Sequence, residues 1–140
     1  MNKILHTVPK EIFEVLSQCA ALPDDNAKVL FLRNNYSKGL EGYIRGTFDN
    51  DINWDLPEDM QYSPSTDWSY PTSLRKVDNM IAMSASGTNT LTTRTRMMKN
   101  IMEGIHPTDA LLLINMMNKS FPYDISHDVL KRVFPQVIKD

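Results

Sequence analysis

The sequence predicts an all-α protein, a compact bundle of six to seven helices carrying one long ordered loop rich in aromatic and acidic residues. Three observations predict this class. Apolar residues recur at intervals of three and four in seven separate segments, the period of one helix face. Residues that start or stop helices bracket most of those segments. No stretch alternates apolar and polar residues over the length of a strand. At 140 residues the chain is the size of one domain, expected over 1–140, and it is long enough to bury a core without covalent staples.

The first helix is expected in "PKEIFEVLSQCA". Pro9 suits the first helical position, where its missing N–H costs nothing, and Ile12, Val15, Leu16 and Cys19 form one stripe. The second, "PDDNAKVLFLRNN", starts at Pro23, places Asp24 and Asp25 at the positive end of the helix dipole, and stops at Asn34–Asn35. The third, "SKGLEGYIRGTF", has Ser37 as its cap and Leu40, Tyr43, Ile44 and Phe48 on one face. Gly39, Gly42 and Gly46 each weaken it by about 1 kcal/mol relative to Ala, but they also permit close backbone approach.

From 49 to 71 the helical period is lost. This stretch contains both tryptophans, three prolines and many acidic residues. It is long for a connection and too aromatic for a disordered linker, so Trp54, Tyr62, Trp68 and Tyr70 are expected to pack it onto the helices. Helical spacing returns in "TSLRKVDNMIAM", with Leu74, Val77 and Ile81 aligned. "SASGTNT" is read as a loop. "LTTRTRMMKNIMEG" turns Met98, Ile101, Met102 and Ile105 inward and ends at Gly104. "HPTDALLLINMMN" has Pro107 and Asp109 in its first turn, and Ser126 caps "HDVLKRVF".

Composition narrows function more than it names it. Net charge is −2, apolar residues make up 41 % and charged residues 23 %, all ordinary for a soluble globular chain. The longest apolar run, 110–114, is far too short to cross a bilayer. A single cysteine allows no intrachain disulfide, and the opening residues show no secretory pattern, so a reducing cytoplasm is the expected compartment. Cys19 lies on an apolar stripe and reads as a small buried hydrophobe. The methionines Met97, Met98, Met102, Met116 and Met117 read first as core. His6, His106 and His127 have no metal-ligand spacing. There is no phosphate-cradling glycine loop and no nucleophile elbow. "KVDN" (76–79) lacks the glycine of a nucleotidyltransferase lysine motif. No enzyme, metal or cofactor is therefore expected.

The cations fall in groups: Arg33, Lys38 and Arg45; Arg75 and Lys76; Arg94, Arg96 and Lys99; Lys119; Lys131 and Arg132. Brought onto one face, they would contact several phosphates and give strongly salt-dependent DNA binding.

"VLSQCAALPDDNAKVLFLRNNYSKGLEGYIRGTFD" resembles the start of the helical DNA-binding domain that precedes the catalytic core in ATP-dependent DNA ligases of large tailed phages. Leu40, Tyr43 and Ile44 stand where those domains carry a Leu-x-x-Tyr-Ile-like stripe. "MMKNIMEGIHPTDALLLINMMNKSFPYDISHDVLKRVFPQVI" looks like their closing helix–loop–helix. Over nearly its full length the chain is also similar to a family of short stand-alone phage proteins with no established activity.

The resemblance implies a grip on duplex DNA through its backbone and minor groove. It also implies a phosphate held by backbone N–H groups at Asp124, Ile125, Ser126 and His127, flanked by Lys119 and Lys131. Ligase-like loops carry a glycine there, and this chain has Tyr123–Asp124. The function expected is that of a non-enzymatic phage accessory protein in the host cytoplasm. It would bind duplex DNA non-specifically, with Lys38, Arg45, Arg94, Arg96, Lys99, Lys119 and Lys131 on phosphates and Ser126 orienting the backbone. The alternative expectation is an adaptor or inhibitor that binds a replication component or host factor through Trp54, Tyr62, Trp68 and Tyr70, whose ring types commonly anchor interfaces.

Overall fold

The computed structural model describes residues 11–57, 60–64, 85 and 88–138. Among them are six helices and no strand: α1 Ile12–Ala20, α2 Asp25–Asn34, α3 Lys38–Phe48, α4 Leu91–Gly104, α5 Pro107–Met117 and α6 His127–Val133. The all-α expectation holds. The helix expected over 72–83 lies outside the described residues, as do Pro9, His6 and the "KVDN" string.

Local chemistry accounts for the starts. Asp24, Ser37, Thr90 and Ser126 each accept the N–H of the residue three positions on, satisfying donors that a helix leaves open at its first turn. Two expected starts move. Helix α1 begins after Glu11, which forms a reciprocal capping box with Glu14, and α2 begins after Asp24. A capping carboxylate satisfies an open N–H, whereas a proline only tolerates the position. Helix α4 ends at Gly104 as expected, but no described glycine has a positive φ, so the left-handed glycine cap is not used.

Packing follows the apolar stripes. Helix α5 is the centre, with α1, α3 and α4 against it, while α2 lies on α1 and α6 lies on α2. Leu16, Cys19, Leu32, Leu40, Ile44, Met98, Met102, Ala110, Met116, Val129 and Phe134 are fully buried. The methionines serve the core: Met98, Met102 and Met116 lie inside it and Met97 and Met117 against it. Burial pushes the Cys19 thiol up to about 11, away from thiolate chemistry.

The described part of the 49–71 loop is anchored as the aromatic content predicts. Ile52 and Trp54 are buried, and Leu56, Met60 and Tyr62 pack against the core. The Trp54 indole N–H donates to the Gly46 carbonyl at 2.9 Å. Gly46 is required by this closeness: a Cβ there would collide with the Met116 sulfur and lie 2.9 Å from the Trp54 ring. No helix among the described residues is long and apolar enough to cross a membrane.

Candidate functional site

The candidate surface is built where the α2–α3 turn meets the end of α6. Arg33, in the last turn of α2, donates from its guanidinium to the Arg132 carbonyl at 3.1 Å. The Arg132 guanidinium reaches back to the Asn26 side chain at 3.0 Å and lies 3.6 Å from the Asp128 carboxylate. Asn26, Leu30 and Arg33 follow one another at helical spacing on α2, and Arg132 is hydrogen-bonded to the first and last of them. Leu30 is 60 % exposed.

The turn carries Tyr36, 49 % exposed. Its ring lies 6.4 Å from that of Phe134, and its hydroxyl donates to the Glu41 carboxylate. Glu41 also receives the Gln136 amide at 3.0 Å and the Arg45 guanidinium at 3.4 Å. The Tyr36 hydrogen bond, joined by those from Gln136 and Arg45, holds the Glu41 carboxyl below its usual range despite partial burial. Lys38 opens α3 beside this knot and is exposed. Arg33 and Arg132 are thus joined to each other, Arg45 lies along α3 between Glu41 and Asp49, and Lys38 and Lys131 are exposed on the same helices.

Other expected site residues go elsewhere. Arg94 is not a surface cation: it is 7 % exposed and donates to the carbonyls of Trp54 at 2.9 Å and Asp55 at 3.5 Å. Its position in the stripe Arg94, Met98, Ile101, Met102 turns it inward. The Lys119 ammonium donates to the carbonyls of Gly46 at 3.0 Å and Asp49 at 2.9 Å, closing the C-terminus of α3, where a cation is favoured. Burial pulls its pKa down. Arg96 and Lys99 are exposed on α4, whose main packing partner is α5.

In the loop before α6, the Ser126 hydroxyl is engaged by the Val129 N–H at 3.2 Å, Ile125 is buried, and the Asp124 carbonyl accepts from the Lys28 ammonium at 3.1 Å. His127 faces the Phe48 ring at a cavity of about 400 Å³ that Asp49 and Asp51 also line. The surroundings of the expected phosphate loop are thus partly acidic. For the alternative site, Trp54 is 2 % exposed and is a core side chain rather than an exposed anchor. Tyr62 is half-buried against the core, and Trp68 and Tyr70 lie outside the described residues.

One cluster was not anticipated. Asp109, 1 % exposed, accepts the backbone N–H groups of Ile12 at 3.2 Å and Phe13 at 2.8 Å. It thereby caps α1 from α5. The imidazole of His106 lies 4.6 Å from the Phe13 ring, and its Nδ1 accepts the Thr108 N–H at 3.0 Å. Burial lifts the Asp109 carboxyl to about 6, opposed by the two N–H donors. Burial, then the neighbouring Asp109 charge, lifts Glu11 to about 7. The sequence carried a signal for this: Asp109 falls in register with Leu112, Leu113 and Met116, so it belongs to the buried stripe. No group of three or more His, Cys, Asp or Glu side chains among the described residues is arranged to hold a metal ion. No protein-family model, no curated protein and no solved structure matches this chain.

Proposed function

We propose that this chain is a non-enzymatic protein that binds the DNA backbone with the α2–α3–α6 end of the bundle. The observation supporting this reading is the linkage of Arg33 and Arg132 to each other and of Arg45 to Gln136 through Glu41, with Lys38 and Lys131 exposed on the same helices. Arg33 and Arg132 are 99 residues apart in sequence, and the Gln136–Glu41 hydrogen bond ties the segment after α6 to α3. The site is smaller than the set named from sequence. Arg94 and Lys119 serve the fold, and Arg96 and Lys99 lie on a helix packed elsewhere. Arg33 and Arg132 take their place.

Arginine forks match phosphate oxygens in pairs, which suits backbone binding without sequence readout. With Glu41, Asp49 and Asp128 offsetting part of the charge, about three phosphates are the expected footprint. Log affinity should then fall with log salt at a slope of about −3.

Fluorescence anisotropy of a labelled short duplex at two salt concentrations tests this. Binding that weakens steeply with salt, and that Arg33→Ala weakens further while shallowing the slope by about one, is the expected result. No binding at low salt would overturn the reading. For the acidic-loop adaptor alternative, Trp54 lies in the core, and Trp68 and Tyr70 lie outside the described residues.

A further inference from the structure

The cationic end also carries two large apolar side chains that an intact duplex would leave idle. Leu30 is 60 % exposed and Tyr36 is 49 % exposed. A duplex presents mainly phosphates and sugars to a flat cationic face, and its bases are stacked out of reach. A strand with unpaired bases presents a π-face beside each phosphate, and proteins that hold such strands pair a positive groove with aromatic platforms.

Tyr36 is arranged as a platform. Its hydroxyl is tied to Glu41, Glu41 is itself held by Gln136 and Arg45, and the ring sits beside the buried Phe134. The ring is thus fixed before any ligand arrives, which lowers the entropy lost on binding. Leu30 lies one turn from both Asn26 and Arg33 on α2, and both of those residues are hydrogen-bonded to Arg132.

We infer that this face binds DNA containing unpaired bases in preference to blunt duplex, with a base stacked on Tyr36, its sugar against Leu30 and the neighbouring phosphates on Arg33 and Arg132. The inference rests on the DNA reading above and names its substrate class.

The test compares a short blunt duplex with the same duplex bearing a single-stranded thymidine tail, both at low salt. The expected result is at least about tenfold tighter binding of the tailed probe. Tyr36→Ala and Leu30→Ser should each weaken the tailed probe more than the blunt duplex and so reduce that preference, and Tyr36→Phe should retain most of it. Arg33→Ala should weaken both probes alike. Thermal melts of each variant confirm that the fold is kept, and Leu30→Ser serves if Tyr36→Ala melts early. Equal affinity for the two probes, or a preference untouched by the Tyr36 and Leu30 changes, overturns this inference and leaves backbone binding intact. Failure to bind either probe overturns both.

Discussion

Single side chains show how charge is divided between fold and surface. Arg94 and Arg96 are two positions apart on α4, yet one is buried under the carbonyls of Trp54 and Asp55 and the other is exposed. Arg94→Ala should cost about 2–4 kcal/mol in a urea titration, because it opens a cavity and strands two carbonyl groups. Arg96→Ala should stay within about 0.5 kcal/mol, and similar costs for the two would refute this placement. Gly46 is as constrained as Arg94. Its carbonyl takes both the Trp54 indole and the Lys119 ammonium, and its missing side chain admits Met116 and Trp54. Gly46→Ala should destabilise by about 1–3 kcal/mol through overpacking, although alanine is the better helix former. An unchanged melting temperature would show the contact to be slack. The sequence counted these cations correctly but could not give their directions. Charge reads as surface by default, and only the register of Arg94 with Met98 and Met102 points inward.

At the scale of elements, the six described helices were legible because apolar spacing and caps are local. What was not legible is how one helix completes another. Asp109 caps α1 from 97 positions away, and no local pattern encodes that distance. The α1–α5 junction is accordingly the pH-sensitive joint. The Glu11 and Asp109 carboxyls titrate higher in the fold than in the unfolded chain. Folding therefore favours their protonated forms. The stability gained is complete below about pH 4 and is lost as pH rises through about 6 to 7. Against this, Glu41 titrates lower in the fold, so its contribution is present at neutral pH and fades in acid. Between pH 5 and 8 the first effect governs. The melting temperature should fall across that range by roughly 5 °C, on the order of 2 kcal/mol. Asp109→Asn should flatten the profile and also cost about 1–3 kcal/mol, because the amide cannot accept both N–H groups. A profile as steep in Asp109→Asn as in the parent would place the titrating groups elsewhere.

In the whole molecule, the last described helix closes back on the second. Helix α6 lies on α2, and Val129, Leu130, Phe134, Val137 and Ile138 complete a core begun by Ile12, Val15 and Leu16. Each such burial is worth about 1.5–3 kcal/mol, against a net stability of about 5–15 kcal/mol for a domain. Ending the chain before Pro122 should therefore abolish cooperative unfolding, as circular dichroism against temperature would show, and a sharp transition in the shortened chain would contradict this closure. Lys28 and Lys119 have a consequence of a different kind. Both amines are committed to main-chain oxygens, at Asp124 and at Gly46 and Asp49, while Lys38 and Lys99 are exposed. Brief acylation with an anhydride, read peptide by peptide in a mass spectrometer, should label the exposed amines quickly and the two committed ones slowly. Those two slow sites would then serve as internal clocks of how often the α2–loop and α3–loop seams come apart.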